Sequence, residues 1–85
     1  MHDGKFAAVL SQEAAAFIFS LPKPKQRKIF GCLDRLAFAP SELRDVTMID
    51  ASGRFVESAL IEAFLFTYWI DHAVCEVRIT EIHEV

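Results

Sequence analysis

Eighty-five residues make one domain, 1–85, and a chain this short buries only roughly 60–65% of the surface that its unfolded form exposes. Hydrophobic residues at 53%, eight Phe among them, supply a core without staples and leave apolar surface over for a partner. The net charge of −3 hides a split: residues 1–41 carry Lys5, Lys23, Lys25, Arg27, Lys28 and Arg35 against three acids, whereas residues 42–85 carry Arg44, Arg54 and Arg78 against nine, so a nucleic-acid surface on the second half would work against its own field.

Residues 5–10 (KFAAVL) read as a strand, because Ser11 then offers a helix N-cap with Gln12 and Glu13 in the first turn. The helix runs to about Ser20, with Ala14, Phe17 and Ile18 on one face and Leu21 following. Pro22 and Pro24 end it, since the residue before a proline is pushed out of helical geometry. Pro24 suits the first position of a second helix, residues 24–38. Ile29, Leu33 and Leu36, flanked by Phe30, Cys32 and Ala37, form its apolar stripe. Ala39-Pro40 stops it, and the two helices make an antiparallel hairpin.

Residues 41–45 form a polar link with no clear preference. Residues 46–50 (VTMID) alternate as a strand, and Asp50-Ala51-Ser52-Gly53 is a turn. Residues 54–61 place Phe55, Ala59 and Ile61 on one face, with Glu57 out of pattern. Glu62-Ala63 turns the chain into residues 64–71, a central strand apolar on both faces. Asp71-His72-Ala73 turns again, and residues 74–83 alternate Cys75, Val77 and Ile79 against Glu76, Arg78 and Thr80. Ile82 falls on the wrong side of that alternation, which points to a bulge or a loss of pairing near Glu81. The expected architecture is α+β in the order β-α-α-β-β-β-β: an antiparallel-rich sheet of four to five strands with a two-helix hairpin packed on one face.

Few residues signal chemistry. Lys23, Lys25, Arg27 and Lys28 at the start of the second helix could grip the phosphates of a nucleic acid, or simply be a solvated helix start. His83 has the titration range of a general acid or base, and Arg54 and Arg78 could steady a phosphate, although strand arginines more often pair with cross-strand acids. Tyr68 and Trp69 could stack a base or pack a core. Cys32 and Cys75 have no Cys or His at ligand spacing, so the expectation is reduced thiols, no metal and no cofactor. No apolar run approaches the roughly 20 residues of a membrane helix. Residues 1–11 lack the basic start and long apolar run of a secretory signal.

Taken together, FIFSLPKPKQRKIFGCLDRLAFAP, DASGRF, AFLFTYWID and VCEVRITEIHEV, in that order, resemble the RelE/ParE toxin superfamily of bacterial toxin–antitoxin modules. The resemblance covers nearly the whole chain. It implies a cytoplasmic toxin-like protein neutralised by a cognate antitoxin that wraps it. RelE-like members cleave mRNA on the ribosome, ParE-like members poison DNA gyrase, and a catalytically inactive member would be an interaction module or homodimer. In the RNase branch, basic residues on the central strands and near the C-terminus do the work. Here those places fall near Phe64, near Phe55 and Glu57, and at His83-Glu84. Arg54, Arg78 and His83 are the nearby substitutes for a catalytic set. Phe64, Phe66, Tyr68 and Trp69 are the expected antitoxin-binding surface.

Overall fold

The computed structural model describes residues 6–85; Lys5 of the first expected strand, and His2, lie outside them. The chain order is β1 (Ala7–Leu10), α1 (Gln12–Phe19), α2 (Lys23–Phe38), α3 (Pro40–Leu43), β2 (Val46–Ile49), β3 (Phe55–Ile61), β4 (Phe64–Asp71) and β5 (Glu76–Glu84). Ser11 caps α1 as its sequence demands: its hydroxyl accepts from the Ala14 N–H at 3.0 Å and donates to the Thr80 carbonyl at 2.8 Å. One residue thus starts the helix and ties it to β5. The second helix begins one residue earlier than proline placement suggests, with Pro24 in the second helical position. The Gln26 side chain donates to the Leu21 carbonyl at 2.8 Å and closes the connection between the helices.

The sheet order is β1-β5-β4-β3-β2. Strands β2 to β5 pair antiparallel, and β1 returns parallel to β5. The helical hairpin covers one face. Beneath it lie Ala59, Ile61, Phe64, Phe66, Tyr68, Val77, Ile79 and Ile82, packed against Ala14, Ile18, Ile29, Cys32, Leu33 and Leu36. At roughly 25 cal/mol per Å2 of apolar surface, each fully buried Leu, Ile or Phe contributes about 1.5–3 kcal/mol.

The misplaced Ile82 is resolved by a bulge rather than by a loss of pairing, which continues to Glu84. Thr67 pairs with Glu81 and Tyr68 pairs with Ile79, so Thr80 is an extra residue in β5. That bulge lets Ile79 and Ile82 both face the core, at 1% and 3% exposure. Two features depart from expectation, and the expected Glu62-Ala63 turn shows its geometry. The link after Pro40 is a short helix, α3, held by the buried Tyr68 hydroxyl, which donates to the Pro40 carbonyl at 2.7 Å. Phe55 is exposed, because β2 and β3 run past the end of the helical cover, whereas the out-of-pattern Glu57 is buried. Glu62 and Ala63 both take positive φ, 51° and 74°, the type I′ geometry that a tight two-residue hairpin needs. No helix among the described residues is long and apolar enough to cross a membrane.

Candidate functional site

The face of the sheet opposite the helices carries the first candidate. Alternation places Trp69 on that face of β4, directly across from Arg78 on β5. The Arg54 guanidinium, delivered by the turn before β3, sits 4.1 Å from the Trp69 ring centroid, and that of Arg78 sits 5.7 Å away. A cation over an indole face at this range is worth about 0.5–1 kcal/mol when exposed. Arg78 is partly neutralised by Glu76 at 2.8 Å and Asp71 at 4.0 Å. Arg54 forms no ion pair among the described residues, so the platform keeps one open positive charge. The turn that aims Arg54 is pinned by Asp50, whose Oδ1 accepts from the N–H groups of Ser52 and Arg54 and from the Ser52 hydroxyl. The Ser52 hydroxyl, then the Arg54 N–H, hold the Asp50 carboxyl below the usual carboxylate range.

His83 is not part of this group. It lies opposite Leu65, four residues from Trp69 along the unbulged β4, and at ~3.3 Å per residue that is roughly 13–15 Å from Arg78. Its Nε2 sits 3.1 Å from Glu81 Oε2 in an exposed pair. Of the three residues expected to act together, the structure joins Arg54 and Arg78 and leaves His83 apart.

Lys23, Lys25, Arg27 and Lys28 are all exposed at the start of α2. Lys25 Nζ meets Glu84 Oε2 at 2.6 Å, which brings the basic helix end to the His83 end of β5. The expected antitoxin surface is largely core. Phe64, Phe66 and Tyr68 are 2%, 0% and 0% exposed beneath the helices, and Trp69 alone of the four looks out from the open face. An alternating strand cannot announce which face its helices will cover.

Sequence reasoning missed a cleft of about 470 Å3 at the end of the helix-covered face, lined by Ser41, Arg44, Thr47, Phe55, Glu57, Ile70 and His72. Glu57 is 5% exposed there, accepting from the Thr47 hydroxyl at 2.5 Å and facing Arg44 at 3.6 Å. Tyr68, its cross-strand partner, has a hydroxyl pushed well above the usual tyrosine range, first by burial and then by the Glu57 carboxylate. The visible signal was Glu57 itself, an acid in the apolar phase of β3. Among the described residues, no group of three or more His, Cys, Asp or Glu side chains converges as metal ligands do.

A five-stranded mixed sheet with a helical hairpin on one face defines the class: the fold seen in RelE toxin structures. No protein-family model matches the sequence, and no curated protein matches it. Solved structures do. The RelBE2 toxin–antitoxin complex from Mycobacterium tuberculosis contains a chain that superposes with a TM-score of 0.81 at 15% identity, covering 95% of this chain and 99% of that one. The archaeal RelE–RelB complex from Pyrococcus horikoshii OT3 gives 0.73 at 16% identity, with 94% of each chain covered. The E. coli RelBE complex gives 0.71 at 11% identity, covering 94% of this chain and 96% of that one. At these identities the similarity establishes the fold.

Proposed function

We propose that this protein is the toxin-like member of a type II toxin–antitoxin pair, acting in the cytoplasm and held by a cognate antitoxin. The supporting observation is the near end-to-end match to chains from RelBE toxin–antitoxin complexes. Apolar surface left uncovered on this chain agrees with it: Phe19, Phe38, Met48, Ile49, Phe55 and Leu60 are each more than half exposed. The antitoxin's work is to cover that surface and, with it, the Arg54–Trp69–Arg78 platform. Co-expression with the product of the adjacent reading frame tests the reading. A stable complex with a small neighbour-encoded protein is expected, and its failure to form refutes the pairing.

One observation favours a second reading, ribosome-dependent mRNA cleavage. Arg54 and Arg78 flank an aromatic ring on the open sheet face, which is chemistry suited to a base and its phosphate. In that reading Arg54 and Arg78 bind the phosphate, Lys23, Lys25, Arg27 and Lys28 hold the backbone, and His83 moves the proton. The roughly 13–15 Å between Arg78 and His83 sets the test. If one centre is at work, Arg54→Ala, Arg78→Ala and His83→Ala each lower cleavage on mapped mRNA 5′ ends. Cleavage by the triple variant equal to the unmodified protein removes the assignment. The DNA gyrase alternative is tested by supercoiling in the presence of the purified protein.

A further inference from the structure

Among the described residues, strand β2 is a sheet edge with nothing beside it. Its only extensive packing is against β3, and all four of its residues are exposed. The Asp50 N–H donates to the Arg54 carbonyl, which fixes the even-numbered residues as those hydrogen-bonded to β3. The N–H and C=O groups of Thr47 and Ile49 therefore point away from the sheet. The open face of this edge is apolar, whereas the cleft face mixes Ile49 with Thr47, whose hydroxyl is bonded to Glu57. Val46 and Met48 share the open face with Val56 and Leu60, while Ile49 pairs with Phe55 beside the cleft. Natural edges are blunted by lysine, proline or a bulge, because an unpaired apolar edge is a template for another strand. This edge has no lysine or proline, and its one irregularity, the Asp45 N–H donating to the Ser58 carbonyl at 2.7 Å one residue ahead of the Val46–Ser58 pair, lies before the strand.

Charge says which strand would fit. Asp45 precedes β2 and Asp50 follows it, Glu42 lies just upstream, and residues 42–85 hold nine acids against three arginines. Arg44 and Arg78 are committed to carboxylates and Arg54 to Trp69. A second copy of this chain is a poor occupant. Antiparallel pairing of β2 with itself would set Asp45 of each copy close to Asp50 of the other, like charge beside like charge at both ends.

We infer that β2 accepts an extended partner segment as a sixth strand, with alternating apolar residues between basic flanks. The partner's identity rests on the toxin–antitoxin reading, and the strand addition does not. Main-chain bonds to Thr47 and Ile49 supply the affinity, and Val46 and Met48 on the open face, with Ile49 on the other, supply the register. The antitoxin segment at this edge is thus cationic, although the basic start of α2 calls for an acidic one elsewhere on the same partner.

The test uses two synthetic nonapeptides that share one Val/Ile/Thr core, one ending in Lys-Arg and the other in Glu-Asp. They are titrated into 15N-labelled protein at low salt. The basic peptide is expected to shift and protect the amides of Thr47 and Ile49. The acidic one should bind about tenfold weaker or not at all, and the difference should shrink at high salt. Thr47→Pro removes one outward donor and leaves the main-chain β3 ladder in place, while also taking the hydroxyl from Glu57, so Thr47→Val, which loses only the hydroxyl, is the control that should still bind; Ile49→Lys adds an edge charge. Thr47→Pro and Ile49→Lys should each abolish binding in protein whose circular dichroism shows it folded. Equal binding of both peptides, shifts confined elsewhere, or a concentration-dependent homodimer that Thr47→Pro dissolves would each overturn the inference. A neighbour-encoded complex that leaves the Thr47 and Ile49 amides exchanging freely overturns it while the toxin–antitoxin reading stands. Peptide binding at β2 without any such complex does the reverse.

Discussion

Tyr68 is the single tyrosine of the chain, so its ionisation can be followed alone. Its ring is 0% exposed, its hydroxyl donates to the Pro40 carbonyl at 2.7 Å, and Glu57 lies across the strand. Burial, and secondarily the Glu57 charge, raise its pKa above that of a free tyrosine. An acid whose pKa is raised by folding keeps its proton in the folded state and sheds it in the unfolded one. The stability linked to it is therefore whole below the unfolded value near 10 and is lost as pH climbs above that value toward the folded one. The loss is about 1.4 kcal/mol per pH unit, or about 2.7 kcal/mol by pH 12. Against a total of roughly 4–13 kcal/mol for a chain of this size, that is a measurable fraction. The comparison is with Tyr68→Phe, in which every other group of the chain is the same. At pH 7 the variant is expected to be about 1–3 kcal/mol less stable, because the Pro40 carbonyl loses its donor. Above pH 10 the two curves should converge, since only the unmodified protein carries the tyrosine-linked loss. Urea melts from pH 8 to 12, read by far-ultraviolet circular dichroism, measure this. Absorbance at 295 nm should show tyrosinate appearing only with unfolding. Tyrosinate forming near pH 10 in folded protein, or two parallel stability curves, would refute the buried-hydroxyl account.

Ala63→Gly should raise stability by about 1 kcal/mol, and the midpoint by roughly 4–8 °C in a thermal melt, because a side chain at φ 74° carries a left-handed penalty that glycine escapes. Ser11→Ala should cost about 1–2 kcal/mol in urea unfolding, since α1 loses its cap and the tie to the Thr80 carbonyl goes with it. A thiol-reactive dye should label one cysteine quickly and the other only on unfolding: Cys75 is half-buried, whereas Cys32 is enclosed and its pKa is raised, chiefly by burial, which lowers its thiolate fraction at neutral pH.

Local chemistry carried most of the fold. Ser11, the two prolines and the helical stripe of Ile29, Leu33 and Leu36 mark α1 and α2 because capping and periodicity act within a few residues. Ile82 marked the bulge because alternation is strict enough for one displaced residue to show. Long-range placement was not legible. Nothing in residues 40–43 says that a helix will form there, because its anchor is the hydroxyl of Tyr68, far along the chain. Nothing in residues 64–71 says which face the helices will cover, so Phe64, Phe66 and Tyr68 read as an interaction surface and Trp69 as their equal. At the site, Arg54 and Arg78 were legible as residues but not as a pair, since a turn and a strand register bring them to one ring.

The same register weighs binding against catalysis on the open face. The positions where the family resemblance places catalytic basic residues, Phe64 and Glu57, point under the helices and are buried. Phe55 is exposed but lies on that same helix-side phase, beside the cleft. What β3 and β4 turn outward between the two ends of the sheet is Val56, Ser58, Leu60, Leu65 and Thr67, none of which titrates. The arginine–tryptophan platform stands at one end and the Glu81–His83 pair at the other, with that non-ionisable band between them. General acid–base cleavage needs its proton carrier within hydrogen-bond reach of the scissile group, ~2.6–3.2 Å. An interface needs only apolar contact framed by charge, which this face and its β2 edge both present. Val46, Met48, Val56 and Leu60 adjoin across the β2–β3 pairing, whereas the groups that one phosphodiester would need are split.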